Sequence, residues 1–180
     1  MRKLFYLVVA IQILFLLVEV AYTEIQMRTG RVIVLRVAPI DPRSLLMGNY
    51  IDLSYDISTI GRSSTRFEQP IPHLEPGDTV YAILRPAKPY AEIVGLTAER
   101  PSQTTDDLVY LKGRVVPSWD GGRLMVEYGI ERYYIPEARE RDVSRMAVSR
   151  RRTIGVEAVV TGDGRGIIRR VLVNGKPIGF

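Results

Sequence analysis

The residues best able to do chemistry in this chain are carboxylates and tyrosines in two short segments. In the first, Met47–Tyr55 (MGNYIDLSY), a strand would place Tyr50, Asp52 and Ser54 together on one face. The second, Glu131–Glu137 (ERYYIPE), adds two carboxylates and two tyrosines. Carboxylates can exchange protons or bind cations, and tyrosines can contact ligands through their rings, so these two segments form the candidate functional surface.

The sequence holds no recognisable catalytic or metal-binding constellation. There is no cysteine, and the single histidine, His73, lies in a proline-rich loop. A zinc site would therefore have to be built largely from carboxylates, which zinc rarely accepts. Asp106 and Asp107 are adjacent, and neighbours in a strand face opposite ways. Glycine-rich phosphate loops are also absent. We expect no catalytic residue, no metal and no cofactor.

The charge distribution does not favour a nucleic-acid partner. The net charge is +5, but the basic residues are interleaved with 20 acidic ones, and the one tight basic cluster is Arg150–Arg152. Proteins that bind nucleic acids gather basic residues on one face and add aromatic side chains that stack on bases. We therefore expect no nucleic acid among the partners.

The N-terminus has the composition of a membrane anchor. Residues 4–22 are apolar apart from Gln12 and Glu19. As a helix this run spans roughly 28 Å, close to the thickness of the hydrocarbon core of a bilayer. Arg2 and Lys3 precede it, which favours a cytoplasmic N-terminus and leaves the remainder of the chain outside.

Cleavage of this segment as a signal peptide is the alternative. A cut after Thr23 would place Ala21 at the position that requires a small residue. We favour an uncleaved anchor over residues 1–23, a polar linker over 24–30 and an extracytoplasmic domain over 31–180.

Runs of β-branched and aliphatic residues, separated by proline, glycine and aspartate, predict a mainly β domain with a mixed or antiparallel sheet. The turn signal at 161–166 predicts a hairpin, and Asn174-Gly175 is a second turn signal. The predicted strands are Val32–Val37, Tyr50–Ile57, Thr79–Leu84, Ala91–Thr97, Val109–Val116, Leu124–Ile130, Arg132–Ile135, Ile154–Val160 and Ile167–Val173.

One helix is predicted in the C-terminal half, beginning at Pro136 and ending at Arg152. Acidic residues lie toward its start and three arginines at its end, which is the order that the helix dipole favours. Val143, Met146 and Ala147 give it a narrow apolar stripe, which we expect to pack on the sheet.

The first candidate segment also has the pattern of a turn followed by a strand. Gly48 suits a tight turn, because its backbone tolerates positive φ. On the strand that follows, the odd-numbered residues share the face opposite Asp52 and should belong to the core. They are Ile51, Leu53, Tyr55 and Ile57.

This stretch resembles the motif of the GDYXXLXY protein family, which consists of small membrane-anchored bacterial proteins. The matching residues are Gly48, Tyr50, Leu53 and Tyr55, and Asn49 replaces the aspartate of the family. Further likeness lies in residues 40–47, 128–137, 163–165 and 173–176. The resemblance implies a place in the bacterial inner membrane and a multi-pass membrane protein as partner, but no mechanism.

A fainter similarity connects residues 44–50 to the stretch that follows the nucleophile in type I signal peptidases. On that pattern the nucleophilic serine would fall at Ile40. Isoleucine cannot attack a carbonyl, so the similarity implies at most a related scaffold without the enzymatic activity.

We therefore expect a membrane-anchored, non-enzymatic β-domain that binds a partner membrane protein. Two alternatives remain open: an inactive signal-peptidase-like module that receives an extended peptide at a sheet edge, and a small-ligand binder that uses strand tyrosines. The oligomeric state is also left open. The candidate surface comprises Gly48, Asn49, Tyr50, Asp52, Leu53, Tyr55, Glu131, Tyr134, Pro136 and Glu137.

Overall fold

The structure, a computed structural model, describes residues 2–38, 50–61, 67, 71–101, 107–118, 122–134 and 153–177, with residues 50 and 51 described by their backbone alone. The chain divides into two compact units, Met1–Gly30 and Arg31–Phe180. The first unit is a helix, and the described part of the second is made of β-strands and their connections.

Helix α1 runs from Arg2 to Thr29 and has no buried residue. It is long and apolar enough to cross a membrane. It continues through most of the segment 24–30, which we had predicted as a linker. The hydroxyl of Thr29 donates a hydrogen bond to the carbonyl of Ile25, and Arg28 pairs with Glu24 at 2.7 Å. The ion pair between residues four apart favours helix, and the helix extends almost to the first strand.

The described part of the second unit contains eleven strands. They are β1 (Arg31–Arg36), β2 (Tyr50–Asp52), β3 (Thr59–Gly61), β4 (Thr79–Arg85), β5 (Glu92–Thr97), β6 (Val109–Val116), β7 (Arg123–Glu127), β8 (Arg132–Tyr134), β9 (Ile154–Val160), β10 (Gly166–Val173) and β11 (Lys176–Pro177).

These strands form three antiparallel sheets. A four-stranded sheet has the order β1-β9-β10-β11, a five-stranded sheet has the order β3-β7-β6-β4-β5, and β2 pairs with β8 alone. The mainly β prediction is confirmed. Among the described residues the only helix is α1. The predicted C-terminal-half helix is not borne out by the described residues. The segment on which it falls, 136–152, lies outside the described ranges.

Most of the predicted strands are present within about two residues of their expected ends, but the prediction for Tyr50–Ile57 is wrong in extent. Strand β2 stops at Asp52, Tyr55 then makes a single bridge with Val37, and residues 56–58 form a turn. The turn is closed by a hydrogen bond from the Ser58 N–H to the Tyr55 carbonyl. The short strands β3 and β11 were not predicted.

The hairpin predicted at 161–166 and the turn predicted at Asn174-Gly175 are confirmed. Strands β9 and β10 pair around residues 161–165, and β10 pairs with β11 around Asn174-Gly175. Asn174 and Gly175 both have positive φ, 51° and 77°, as the two central residues of a tight hairpin turn require.

The core of the domain gathers one face of each main strand into a single apolar cluster. Alternation along the strands explains this, because every second side chain points the same way. Completely or almost completely buried members include Ile33, Leu35, Val80, Leu84, Leu111 and Val156. Leu53, Tyr55 and Ile57 belong to the same cluster, so this part of the motif packs directly on the sheets.

Candidate functional site

The structure places the two candidate segments side by side. Strands β2 and β8 are antiparallel, with Tyr50 opposite Tyr134 and Asp52 opposite Arg132. The contact continues past the strand, where the Leu53 N–H donates to the Glu131 carbonyl at 2.6 Å. Segments that are far apart in the chain therefore form one two-stranded ribbon.

One face of this ribbon is exposed and polar. Asp52 and Arg132 are both exposed and share this face, because directly paired residues of antiparallel strands project to the same side. Tyr134, two residues further along β8, is 74% exposed. Ser54 is also exposed and continues the alternation from Asp52. We refer to Asp52, Ser54, Arg132 and Tyr134 as the ribbon surface.

The opposite side of the motif is buried and linked to the turn that precedes β8. Tyr55 is 1% exposed, and its hydroxyl donates a hydrogen bond of 2.5 Å to the Ile130 carbonyl. In return, the buried Tyr128 hydroxyl donates to the Ile57 carbonyl at 2.8 Å. Each tyrosine therefore fixes the backbone of the other's segment, and we call these two residues the reciprocal tyrosine pair.

Burial raises the pKa of both phenols well above the ordinary tyrosine value, and the nearby charge of Glu131 adds to the effect. Both hydroxyls are therefore protonated donors across the physiological pH range. Their chemistry is that of buried hydrogen-bond donors, not of bases or of ligand-stacking rings.

Glu131 holds the turn between β7 and β8. Its carboxylate Oε1 accepts a hydrogen bond from the Tyr128 N–H at 2.5 Å, and Gly129 within the turn has φ of +77°. Burial raises the pKa of the Glu131 carboxyl, and the Glu127 charge acts in the same direction. Hydrogen bonds from the N–H groups of residues 128, 129 and 131 oppose them without cancelling the rise. The Glu131 side chain therefore stabilises the same turn whose Ile130 carbonyl accepts the hydrogen bond from the Tyr55 hydroxyl.

The predicted surface residues fall into four groups. Asp52 and Tyr134 are exposed, as a surface requires, whereas Leu53 and Tyr55 are core residues and Glu131 is half-buried in a turn. Tyr50 is described by its backbone alone. The remaining four lie outside the described residues: Gly48, Asn49, Pro136 and Glu137.

Two contributors were not singled out by sequence reasoning, although Arg132 lies within the predicted segment Glu131–Glu137. Arg132 joins the ribbon surface only because its register places it opposite Asp52. Tyr128, one of the strand tyrosines on which a small-ligand binder would depend, is buried and bonded to the motif. Its position directly before Gly129, a glycine inside the predicted strand Leu124–Ile130, is the signal that could have indicated a turn residue.

Other groups considered in the sequence are structural or exposed. Asp163 lies in the β9–β10 turn, where it accepts hydrogen bonds from the Thr161 hydroxyl and the Arg165 Nε–H. Partial burial tends to raise the pKa of this carboxyl, but the hydrogen bonds and the Arg165 charge outweigh it and lower the pKa. His73 is exposed, and its Nε2 lies 3.9 Å from Oε1 of Glu75. Within the described ranges no three acidic or histidine side chains are grouped closely enough to hold a metal.

The fold and site define a class of protein: an apolar N-terminal helix followed by an antiparallel β domain in which a short motif is bonded to a glycine-containing turn. The family model described as GDYXXLXY protein matches residues 12–171. The chain belongs to this family, as its motif predicted. No curated protein and no solved structure matches it. The fainter similarity to type I signal peptidases receives no support from these comparisons.

Proposed function

We propose that this protein is a single-pass protein of the bacterial inner membrane whose extracytoplasmic β domain binds a multi-pass membrane protein through the ribbon surface and carries out no reaction itself. The observation that carries the proposal is the ribbon surface, where a 74% exposed tyrosine lies beside two directly opposed charges of opposite sign.

The composition of the ribbon surface suits protein recognition. Tyrosine and arginine are enriched at protein interfaces, because each combines a large contact area with hydrogen-bonding groups. Asp52 and Arg132 present opposite charges side by side, which favours a partner of complementary pattern and disfavours others. Tyr134 supplies the apolar contact.

The helix argues for a partner in the membrane. Helix α1 is wholly unburied within its own unit and apolar along most of its length. Strand β1 begins at Arg31, immediately after the unit that contains the helix. A domain tethered so closely to a membrane segment meets membrane proteins at a high effective concentration, so modest contacts suffice for binding.

The buried polar groups of the motif support the non-enzymatic part of the proposal. The Tyr55 and Tyr128 hydroxyls and the Glu131 carboxylate are used in hydrogen bonds that join the motif to the β7–β8 turn. Groups held in this way act as a scaffold and are not free to exchange protons with a substrate.

The test uses the full-length chain in native membranes, crosslinked and purified in parallel with a Tyr134→Ala variant. Met125→Ala is the matched control, since Met125 is an exposed apolar residue on a different sheet. We expect the intact chain, including residues 1–23, in the membrane fraction. We also expect one multi-pass membrane protein, identified by mass spectrometry, to be captured by wild type and by Met125→Ala and lost at least tenfold with Tyr134→Ala.

A chain that lacks residues 1–23 would contradict the anchor. Equal capture by all three proteins, with the domain folded in each, would contradict the ribbon surface as the binding site.

A further inference from the structure

The two polar residues within the apolar run of α1 lie on the same face of the helix. Gln12 and Glu19 are seven residues apart, so they differ by only about 20° around the helix axis and by roughly 10 Å along it. Both are exposed in the structure. Gln26 follows at the same spacing near the end of the helix. The three residues form a stripe with a heptad period, which we call the polar stripe.

A heptad period is the spacing that a second helix recognises. Residues that recur every seventh position stay on one seam when two helices pack with a left-handed crossing. In hydrocarbon an amide or a carboxylate is costly to leave without hydrogen-bond partners, because neither water nor another polar group is available. The Glu19 backbone carbonyl already accepts a hydrogen bond from the Thr23 hydroxyl. The groups that still need hydrogen-bond partners are the side chains of Gln12 and Glu19.

A second copy of this chain meets only part of that need, because two Gln12 amides could bond to each other but two Glu19 carboxylates offer no donor. Arg2 and Lys3 precede the apolar run, so every copy takes the same orientation in the membrane and two copies could pack only in parallel. Parallel packing on the polar stripe would place Glu19 against Glu19, and like charges facing each other disfavour the pair. The charge pattern instead fits a helix that offers donors.

We propose that the polar stripe of α1 is a recognition site within the membrane for a transmembrane helix of a different protein, which presents hydrogen-bond donors or a basic side chain at the level of Glu19. The anchor thereby contributes to partner choice in addition to holding the domain at the membrane. This inference rests on the membrane-spanning part of the proposed function and is independent of the ribbon surface.

The test places a photoreactive residue at Leu16 or at Leu14 of the full-length chain in native membranes. Leu16 is four residues after Gln12 and three before Glu19, so it lies on the polar stripe, whereas Leu14 lies on the opposite side of the helix. Both are 61% exposed in the structure, which makes them matched positions. Carbonate extraction and intact mass establish first that the chain is inserted with residues 1–23 present.

We expect the Leu16 probe, and not the Leu14 probe, to crosslink to a transmembrane peptide of another protein that carries a donor side chain near the depth of Glu19. Gln12→Leu should reduce this product roughly three- to tenfold, which corresponds to the loss of an interhelical hydrogen bond. This variant makes the helix more apolar, so it still inserts. The control Leu17→Ala, on the opposite side, should retain the product.

Three results would overturn the inference. A crosslinked product with twice the mass of the chain would show a second copy as the occupant. Equal crosslinking from both positions, or adducts with lipid alone, would show that the polar stripe selects no helix. A chain found outside the membrane or cut after Thr23 would overturn the proposed anchor itself and this inference with it, which distinguishes that failure from the other two.

Discussion

The hydroxyl of Tyr55 donates a hydrogen bond of 2.5 Å to the carbonyl oxygen of Ile130, across a separation of 75 residues in the chain. This bond joins the last tyrosine of the family motif to the turn that starts strand β8. With the return bond from Tyr128 to Ile57, it makes the motif a structural junction on one side, while the ribbon surface occupies the other.

Removal of the Tyr55 hydroxyl should destabilise the domain without changing its shape. In Tyr55→Phe the buried Ile130 carbonyl loses its donor, and an unsatisfied buried acceptor costs about 1–3 kcal/mol. The free energy of unfolding, from urea denaturation of the chain in a mild detergent, is the measurement. Tyr134→Phe, at an exposed position, should change it by no more than about 0.5 kcal/mol. Equal changes in the free energy of unfolding for the two variants would show that the Tyr55 hydrogen bond contributes no more to stability than an exposed hydroxyl does.

Leu53 should be a core residue energetically as well as geometrically. It is 3% exposed, so Leu53→Ala leaves a cavity and should lower the free energy of unfolding by about 2–5 kcal/mol. Its neighbour Asp52 is exposed, and Asp52→Ala should cost at most about 0.5 kcal/mol. The same urea experiment measures both variants. A small effect at Leu53 would contradict the packing of the motif on the sheets.

Glu131 should make the domain less stable as the pH rises. Its pKa is raised in the folded state above the ordinary value of 4.5, so the folded protein holds this proton more tightly than the unfolded chain does. The resulting stabilisation is complete below pH 4.5 and is lost as the pH rises through the folded pKa. Glu131→Gln removes this dependence while an amide oxygen can still accept the Tyr128 N–H.

The measurement for Glu131 is the free energy of unfolding of wild type minus that of Glu131→Gln, taken at several pH values from 4 to 8. Because the subtraction cancels the other titrating groups, the difference should fall as the pH increases. A difference that grows with pH would mean that the hydrogen bonds of the turn dominate and lower the pKa instead.

Gly129 should be sensitive to substitution for a reason confined to the backbone. Its φ of +77° disfavours any residue with a Cβ, although a Cβ built there would meet nothing within 4 Å. Gly129→Ala should therefore destabilise by about 1–2 kcal/mol, which thermal or urea unfolding can resolve. Gly162→Ala is the control, because it has the same open space without positive φ. Loss in both variants alike would point to chain flexibility as the cause.

Local patterns predicted much of this fold. The apolar run at the N-terminus predicted the helix, period-two alternation predicted the burial of Leu53, Tyr55 and Ile57, and Asn174-Gly175 predicted a turn. These features depend on residues within a few positions of each other. Helix α1 continues through most of segment 24–30, where Arg28 and Glu24 form an ion pair between residues four apart.

The sequence by itself determined the location of the apolar helix, the mainly β class of the domain and membership of the family through its motif. Only the tertiary structure decided that β2 pairs with β8, that Arg132 lies opposite Asp52 and that Tyr55 is bonded to Ile130. The physical reason is that strand register over long sequence separations is set by the packing of the whole core, in which a shift of one residue would expose Leu53 and bury Asp52. A tyrosine therefore reveals whether it is a surface contact or a buried donor only once the fold has placed a carbonyl beside it.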